Sequence, residues 1–266
     1  MTRICGMPRT ADRAAIRKFL ETDRPWAVYA LADLAPEYSA PAAWHMAAHG
    51  RPALLLIYRG FRPPVLFAHG AAPDLAPLLA EVAEPEFYLS VRPEVVALLR
   101  AGRYEIREEK RMWRMVLDPA CFVPAAHHAM RLGPADYGDL VNLHRDGAAA
   151  GEAPPFFDAG MLTHGVYYGI RDDGALVSAA GTHVLAERES VAGIGNVYTR
   201  RDRRGRGLGS QVSGAVAADL LRLGLRTVAL NVAESNAAAM RVYQRLGFKK
   251  YCEYREGIAI GQLAPR

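Results

Sequence analysis

The stretch between Ile194 and Phe248 limits the chain's possible folds more than any other. A strand-like run, Ile194 to Thr199, leads into Arg204-Gly205-Arg206-Gly207-Leu208-Gly209, and a helix-like run, Leu208 to Leu223, leads out of it. In that helix Leu208, Val212, Val216 and Leu220 recur every four residues, which puts an apolar stripe on one face. The glycines therefore stand at a strand-to-helix junction. Glycine permits a tight turn and lets backbone N–H groups come close to a ligand. The first turn of a helix has N–H groups without intrahelical partners, and the helix dipole favours an anion there. Together these features make a phosphate site. Arginines at 200, 201, 203, 204 and 206 add positive charge on the approach.

The details separate this loop from other phosphate-binding turns. A P-loop needs G-x-x-x-x-G-K-[ST], and no Lys-Ser or Lys-Thr follows these glycines. A dinucleotide fingerprint counted from Gly205 needs a third glycine at 210, which is Ser210. The pattern that fits is R-x-x-G-x-G, at Arg204, Gly207 and Gly209. Downstream, Thr227 to Val232 reads as a strand, and Ser235-Asn236 offers an N-cap to a short helix, Ala237 to Leu246. Gly247 can end that helix in the left-handed conformation, with Phe248 packing back over it. Asn236, Ala239, Tyr243, Gly247 and Phe248 spell N-x-x-A-x-x-x-Y-x-x-x-G-F. The two patterns, in this order and at this distance, resemble the pyrophosphate loop and the second hallmark of the GNAT N-acetyltransferase superfamily.

The resemblance covers roughly Ala129 to Arg266 and implies transfer of an acetyl group from acetyl-coenzyme A to an amine, without a covalent enzyme intermediate. It implies that the backbone of Val197, Tyr198 and Thr199 pairs with the pantetheine arm. It also implies that the loop Arg204, Gly205, Arg206, Gly207, Leu208, Gly209 and Ser210 holds the diphosphate. Asn236 would help to hold the cofactor arm, and Tyr243 would donate a proton as the thiolate leaves. An unperturbed phenol titrates near pKa ~10 and is protonated at neutral pH. No residue declares itself as the base for the amine. His183, Glu189, Glu152 and Asp158 are the candidates, and a water relay is the alternative. Phe156, Phe157, Tyr167 and Tyr168 either line an acceptor pocket or belong to the core. The acceptor is a small-molecule or peptide amine of unspecified identity.

The rest of the chain repeats the same order of elements. Helical runs at Thr10 to Leu20 and Trp26 to Leu34 precede short strands at Ala42 to Ala48, Ala53 to Tyr58 and Val65 to Ala68. Asp74 is placed to cap a helix with Leu75, Leu78, Leu79 and Val82 on its apolar face, and Pro77 falls near its start. A strand, Glu86 to Val91, a helix from Pro93 to Gly102 and a long strand, Tyr104 to Leu117, follow. The second half reads likewise. The expected fold is α/β (α+β): two GNAT-like domains, each a mixed, mostly antiparallel sheet flanked by helices. The expected boundaries are 1–118, a linker at 119–126 marked by Pro119 and Pro124, and a catalytic 127–266. The first copy has His69-Gly70-Ala71-Ala72-Pro73-Asp74 where the loop should be, with one glycine, no arginine and an acid. It is expected not to bind the cofactor in this way.

Composition bounds the partners. The chain has 266 residues and no apolar run of ~18 or more, so no membrane span is expected. Met1 to Arg17 has no apolar core of a secretory signal. Cys5, Cys121 and Cys252 are scattered and form no C-x-x-C, which suggests reduced thiols in a cytoplasmic protein. No metal site is expected. The net charge of +5 suits an anionic ligand. Nucleic acid contacted through Arg200 to Arg206 is a rival reading, but it does not explain the Asn236 to Phe248 pattern. A non-catalytic acyl-coenzyme A-binding module is the other alternative. A monomer or homodimer is expected.

Overall fold

The computed structural model describes residues 12–47, 50–125, 128–148, 150–152, 154 and 157–262. The chain forms two compact units that interleave in sequence. Of the described residues, one unit comprises those of 1–113, 233–235 and 252–266; the other comprises those of 114–232 and 236–251. The unit that carries the glycine loop is therefore not the contiguous stretch 127–266, because the described residues from Cys252 to Gln262 fold with the first unit.

In the first unit, α1 (Arg13–Leu20) and a short α2 (Val28–Ala32) precede β1 (Ala42–Met46), β2 (Leu54–Tyr58) and β3 (Val65–His69). Then come α3 (Ala72–Ala80), β4 (Glu86–Val91), α4 (Pro93–Ala101) and β5 (Tyr104–Leu117). β1, β2 and β3 pair antiparallel, β3 and β4 pair parallel, and residues 255–260 of the C-terminal strand β11 (Phe248–Gly261) pair antiparallel with β4. The core of this unit gathers Leu55, Leu66, Leu75, Phe87, Leu89, Val95 and Leu99. Helix α3 begins three residues earlier than the sequence suggests. Ala71 stands at its N-cap and Asp74 lies in its first turn, because Pro73 at the second helical position has no N–H that needs capping. Pro77 lies inside the helix rather than at its start.

In the second unit, β6 (Met130–Arg131), α5 (Tyr137–Ala148), α6 (Ala159–His164), β7 (Tyr167–Asp172), β8 (Ala175–Ala186) and β9 (Val191–Thr199) lead to the glycine loop. α7 (Leu208–Arg222), β10 (Thr227–Ala233) and α8 (Ala237–Arg245) follow. β6 through β9 pair antiparallel in sequence order, whereas β9 and β10 are parallel. The stripe on α7 is buried at Val212, Val216 and Leu220, as its spacing requires. Burying each such side chain stabilises the unit by roughly 1.5–3 kcal/mol. Residues 118–123 run as a packed strap and not as a loose linker: Asp118 N and Val123 N donate to the carbonyls of Gly247 and Leu246. Gly247 has φ +100°, and a Cβ there would lie 2.5 Å from the Cys121 carbonyl oxygen, so both conformation and space demand glycine.

The two units repeat one order: β3, α3, β4, α4 and β5 follow each other as β9, α7, β10, α8 and β11 do.

Candidate cofactor and catalytic site

The site begins where two parallel strands part. β9 and β10 pair from Val191 with Thr227 to Ile194 with Leu230, and there the register ends. β9 runs on to Thr199 and β10 to Ala233, so their C-terminal ends diverge. Crevices at the carboxyl ends of parallel strands are the usual ligand sites of α/β sheets.

A bulge decides which backbone groups face that opening. Thr227 N donates to Ser190 O, so even-numbered residues at the start of β9 face β10. Beyond the bulge, Arg200 N donates to Val177 O, so even-numbered residues face β8. The parity reverses because β9 advances three residues, Gly195 to Tyr198, while β8 advances two. Asn196, in this bulge, has φ +51°. Val197 and Thr199 thus turn their backbone groups to the β10 side, whereas those of Tyr198 face β8. The Tyr198 side chain is buried against α5, where its hydroxyl donates to Asp146 Oδ2 at 2.9 Å.

Next comes the loop. Gly205 and Gly207 have φ of +77° and +76°, a conformation that favours glycine. Gly207 is the N-cap of α7 and has no side chain to accept from the first-turn N–H groups; that turn also lacks an acid. The N–H groups of Leu208 and Gly209 are left to a ligand, whereas Ser210 N donates to Gly207 O at 3.1 Å, and the helix dipole favours an anion. Leu208, Gly209 and Ser210 form the turn itself.

The arginine run is mostly tied down. Arg200 pairs with Asp202 at 2.6 Å, and Arg203 with Asp172 at 2.7 Å and Asp202 at 2.8 Å. Arg201 and Arg204 share Glu152 Oε2, at 3.3 Å and 2.6 Å. Arg204 also donates to Thr199 O at 3.1 Å and lies 5.5 Å from the centre of the Tyr198 ring. Its fork is thus fixed against the end of β9. Arg206 is exposed and has no ion pair among the described residues. Among the described residues, the basic patch inferred from sequence therefore reduces to one unpaired cation beside the glycines.

On the far side of the opening, Asn236 caps α8 by accepting from Ala239 N at 3.0 Å, which leaves its amide N–H groups available. Tyr243 is buried on α8, edge-on to Phe248 at 6.1 Å. No hydrogen bond to a described residue occupies its hydroxyl. Burial pushes the phenol up to about 12, so it holds its proton throughout the neutral range.

The base candidates separate clearly. Glu189 lies in the turn just before β9, ten residues from Thr199 and at the opposite end of that strand. Glu152 is engaged by two arginines, and Asp158 accepts from Gly160 N and Met161 N as the cap of α6. His183 alone sits beside the bulge, with Nε2 2.9 Å from Asn196 Oδ1. Among the aromatics, Tyr167 is fully buried and Tyr168 bonds to Asp219 of α7 at 2.8 Å. Phe157 stacks on Tyr137 at 5.5 Å and meets His144 edge-on at 4.9 Å. These residues belong to the packing, and Phe156 lies outside the described residues. Sequence reasoning missed Asn196. Its only signal was residue type, since asparagine is enriched at positive φ.

The corresponding place in the first unit is closed by a side chain. Tyr88 N donates to Pro64 O, so Pro64, Leu66 and Ala68 face β4, and the pairing ends at Phe67 with Ser90. Ala68 is the next carbonyl on that edge, and the buried indole of Trp26 donates to it at 3.1 Å. Asp74 adds an acid in the first turn of α3.

Comparison with known proteins places this geometry. Residues 139–248 match the model of the acetyltransferase (GNAT) family. A curated protein named mycothiol acetyltransferase from Geodermatophilus obscurus is 29% identical over 205 residues, 72% of this chain and 62% of that protein. Another of that name from Mycobacteroides abscessus is 30% identical over 168 residues, 56% of this chain and 55% of its own length. The chain thus spans less than two thirds of the length of these relatives. A putative GNAT acetyltransferase from Novosphingobium aromaticivorans superposes with a TM-score of 0.62 at 22% identity, covering 91% of this chain and all of that one. A tandem GNAT protein from the clavulanic acid biosynthesis pathway gives 0.54 at 16% identity, over 98% of both chains. The fold is that of tandem GNAT proteins. The stretch 139–248 is a GNAT acetyltransferase domain.

Proposed function

We propose that the second unit transfers an acetyl group from acetyl-coenzyme A to an amine. The observation that carries this reading is the continuous path from the open edge of β9, past its bulge, to the glycine-capped N-terminus of α7. Val197 and Thr199 present unladdered backbone to the amides of a pantetheine arm. The N–H groups of the turn, Gly205 to Gly209, take the diphosphate; Ser210, whose own N–H donates to Gly207 O, offers its hydroxyl, and Arg206 adds a cation. Arg204 braces the strand end. Asn236 offers its amide donors to the cofactor arm.

Tyr243 donates its hydroxyl proton in a hydrogen bond to the sulfur as negative charge develops there. With the phenol near 12 and an ordinary thiol near 8.5, complete transfer is uphill by about 5 kcal/mol. The general-acid role thus takes the form of hydrogen-bond stabilisation of the departing thiolate. The acceptor is a small-molecule or peptide amine. The names of the curated relatives make a mycothiol-related amine the first one to try.

Titration with acetyl-coenzyme A by calorimetry tests the reading, followed by thiol release with a panel of amines. A folded protein that does not bind acetyl-coenzyme A refutes it. Binding without thiol release on any amine leaves a non-catalytic acyl-coenzyme A-binding module in its place.

A further inference from the structure

Asn231 is the first residue of β10 beyond its pairing with β9. The register ends at Ile194 with Leu230, so Asn231 stands where the two strands part. Its side chain is partly buried, and the amide Oδ1 is wholly so, with no hydrogen-bond partner among the described residues. A buried acceptor in that state costs the fold free energy, and native proteins keep few of them. An unmet acceptor at the mouth of a cleft asks for a donor from outside the chain.

The register shows which face of the sheet the amide lies on. Side chains alternate along a strand, and paired residues share a face. On β7, Tyr167 clusters with Leu162 of α6 and with Leu140 and Leu143 of α5, whereas Tyr168 bonds to Asp219 of α7. The sheet of this unit thus has an α5–α6 face and an α7 face. Tyr167 pairs with Gly181, and Gly181 with Gly195. Gly193, two residues earlier on the same face, pairs with Ala229, and Asn231 follows Ala229 by two. Asn231 therefore belongs to the α5–α6 face. The glycine-capped helix proposed above for the diphosphate is on the other face.

We propose that Asn231 Oδ1 accepts a hydrogen bond from the attacking amine and thereby selects primary over secondary amines. This role rests on the acetyl-transfer reading above and narrows its acceptor. A cofactor held from the α7 face leaves the α5–α6 face to the amine. A primary amine carries one lone pair and two N–H groups. The lone pair forms the bond to the acetyl carbon. One N–H proton passes to water, and its electron pair stays on nitrogen. The C–S bond breaks with its electron pair on sulfur; the thiolate, held by the Tyr243 hydroxyl, takes a proton from water in turn. The second N–H survives the reaction and is present in the product, a secondary amide, so it can stay bonded to Oδ1 from start to finish. A secondary amine has one N–H and loses it. Its product is a tertiary amide, and Oδ1 is then buried against carbon. A site built to bond a substrate N–H rejects the analogue that lacks it, because its own polar group is left unpaired. The asparagine amide takes no proton at neutral pH, so Asn231 is a positioning and selecting residue and not the base.

The test uses matched pairs, each primary amine beside its N-methyl derivative, with glycinamide and sarcosinamide among them. It compares the parent with Asn231→Leu, which removes the acceptor at similar volume, and with Asn231→Asp, which keeps an acceptor. The quantity read is kcat/KM for the primary amine divided by that for its N-methyl derivative, so the intrinsic reactivity of the two amines cancels between proteins. The ratio is expected to fall about tenfold or more in Asn231→Leu and to stay near the parent's in Asn231→Asp. A ratio in Asn231→Leu within about twofold of the parent's overturns the proposal, and an equal loss on both amines assigns the amide to the thioester carbonyl instead. Thermal melting gives a readout that needs no reaction. Removing an acceptor that the fold leaves unbonded is expected to hold or raise the melting temperature. A fall of more than about 5 °C in Asn231→Leu, or failure of that variant to fold, shows that the amide serves the structure and overturns the proposal. A parent that acetylates no primary amine, with a leucine variant that melts as expected, refutes the acetyltransferase reading and the selecting role with it, while leaving the unbonded Oδ1 intact.

Discussion

Gly209→Asp separates what the loop does for the fold from what it does for a ligand. Gly209 is the second residue of α7 and, unlike Gly205 and Gly207, does not have a positive φ. A Cβ there would lie 3.6 Å from Thr199 Oγ1, an ordinary contact. The substitution therefore causes no strain. An acid in the first turn complements the helix dipole, and this stabilises by about 0.3–1 kcal/mol. Replacing an interior helical glycine adds a few tenths of a kcal/mol more, roughly the difference between glycine and aspartate in helix propensity. The melting temperature is expected to hold or to rise by about 1–4 °C. Binding moves the other way. A carboxylate about 5 Å from a phosphate charge, at an effective dielectric constant near 20, is repelled by about 3 kcal/mol. That weakens the affinity for acetyl-coenzyme A by roughly 150-fold. Differential scanning fluorimetry and calorimetry on the same preparation read both. An unchanged dissociation constant in a variant that melts no lower than the parent would remove the diphosphate from the N-terminus of α7.

Other perturbations carry equally definite signs. Tyr243→Phe is expected to lower kcat at least tenfold in thiol-release assays while leaving the calorimetric affinity for acetyl-coenzyme A within about twofold. Glu152→Gln frees Arg201 and Arg204 and is expected to tighten that affinity several-fold in low salt. Because the pairs are half-exposed, the gain is expected to fade at 0.5 M salt, and persistence there would contradict a screened surface pair. Burial pushes His144 down to about 4, below its unfolded value near 6.5, so its neutral form favours the folded state. Its contribution is complete above pH 6.5 and is lost as pH falls towards 4, at most about 3 kcal/mol. Urea melts of the parent and His144→Leu between pH 7 and 4 are expected to show a shallower pH slope in the variant, and parallel slopes would contradict the shift.

Period and punctuation made most of the elements legible. The β9 bounds, Val191 to Thr199, match the apolar run between Ser190 and Arg200, and α7 follows from its four-residue stripe closed by Gly224. Gly247 announced a left-handed helix end, and Asn236 a cap, because each residue type serves a conformation few others adopt. Charge was legible only in part. Arg200 to Arg206 read as a cationic run, yet besides Asp202 within it the acids that neutralise it are Glu152 and Asp172, about thirty to fifty residues away, and only the folded chain brings them there. The exchange of residues 252–262 into the first unit was likewise hidden, since the period of a strand is written in its residues but its partner is not. The bulges left no periodic trace at all. A single extra residue in a run as apolar as Val191 to Thr199 changes the phase of the backbone without breaking the pattern.

That extra residue accounts for much of the difference between the two units. β3 pairs with β2 without interruption, Leu54 to Tyr58 against His69 to Val65, so its edge keeps one parity to the end. The last outward carbonyl, Ala68, is met by the Trp26 indole, which brings Arg92 to 4.8 Å above its ring and packs against Phe67. Strand and plug form one satisfied hydrogen-bonded core, with no edge left for a guest. β9 begins with the same parity and gives it up at Asn196. The switch points Tyr198 at β8, gives Val197 and Thr199 to the opening, and turns the Asn196 amide towards Tyr167 and His183. A tryptophan-to-alanine change in the first unit would therefore expose a carbonyl but would supply neither the parity change nor the glycine-capped helix. Trp26→Ala is expected to destabilise by about 3–5 kcal/mol, the usual cost of deleting a buried aromatic. It is expected to add no second acetyl-coenzyme A to the stoichiometry seen by calorimetry. A second equivalent bound by that variant would show that the plug alone, and not the unbulged strand, had closed the cleft.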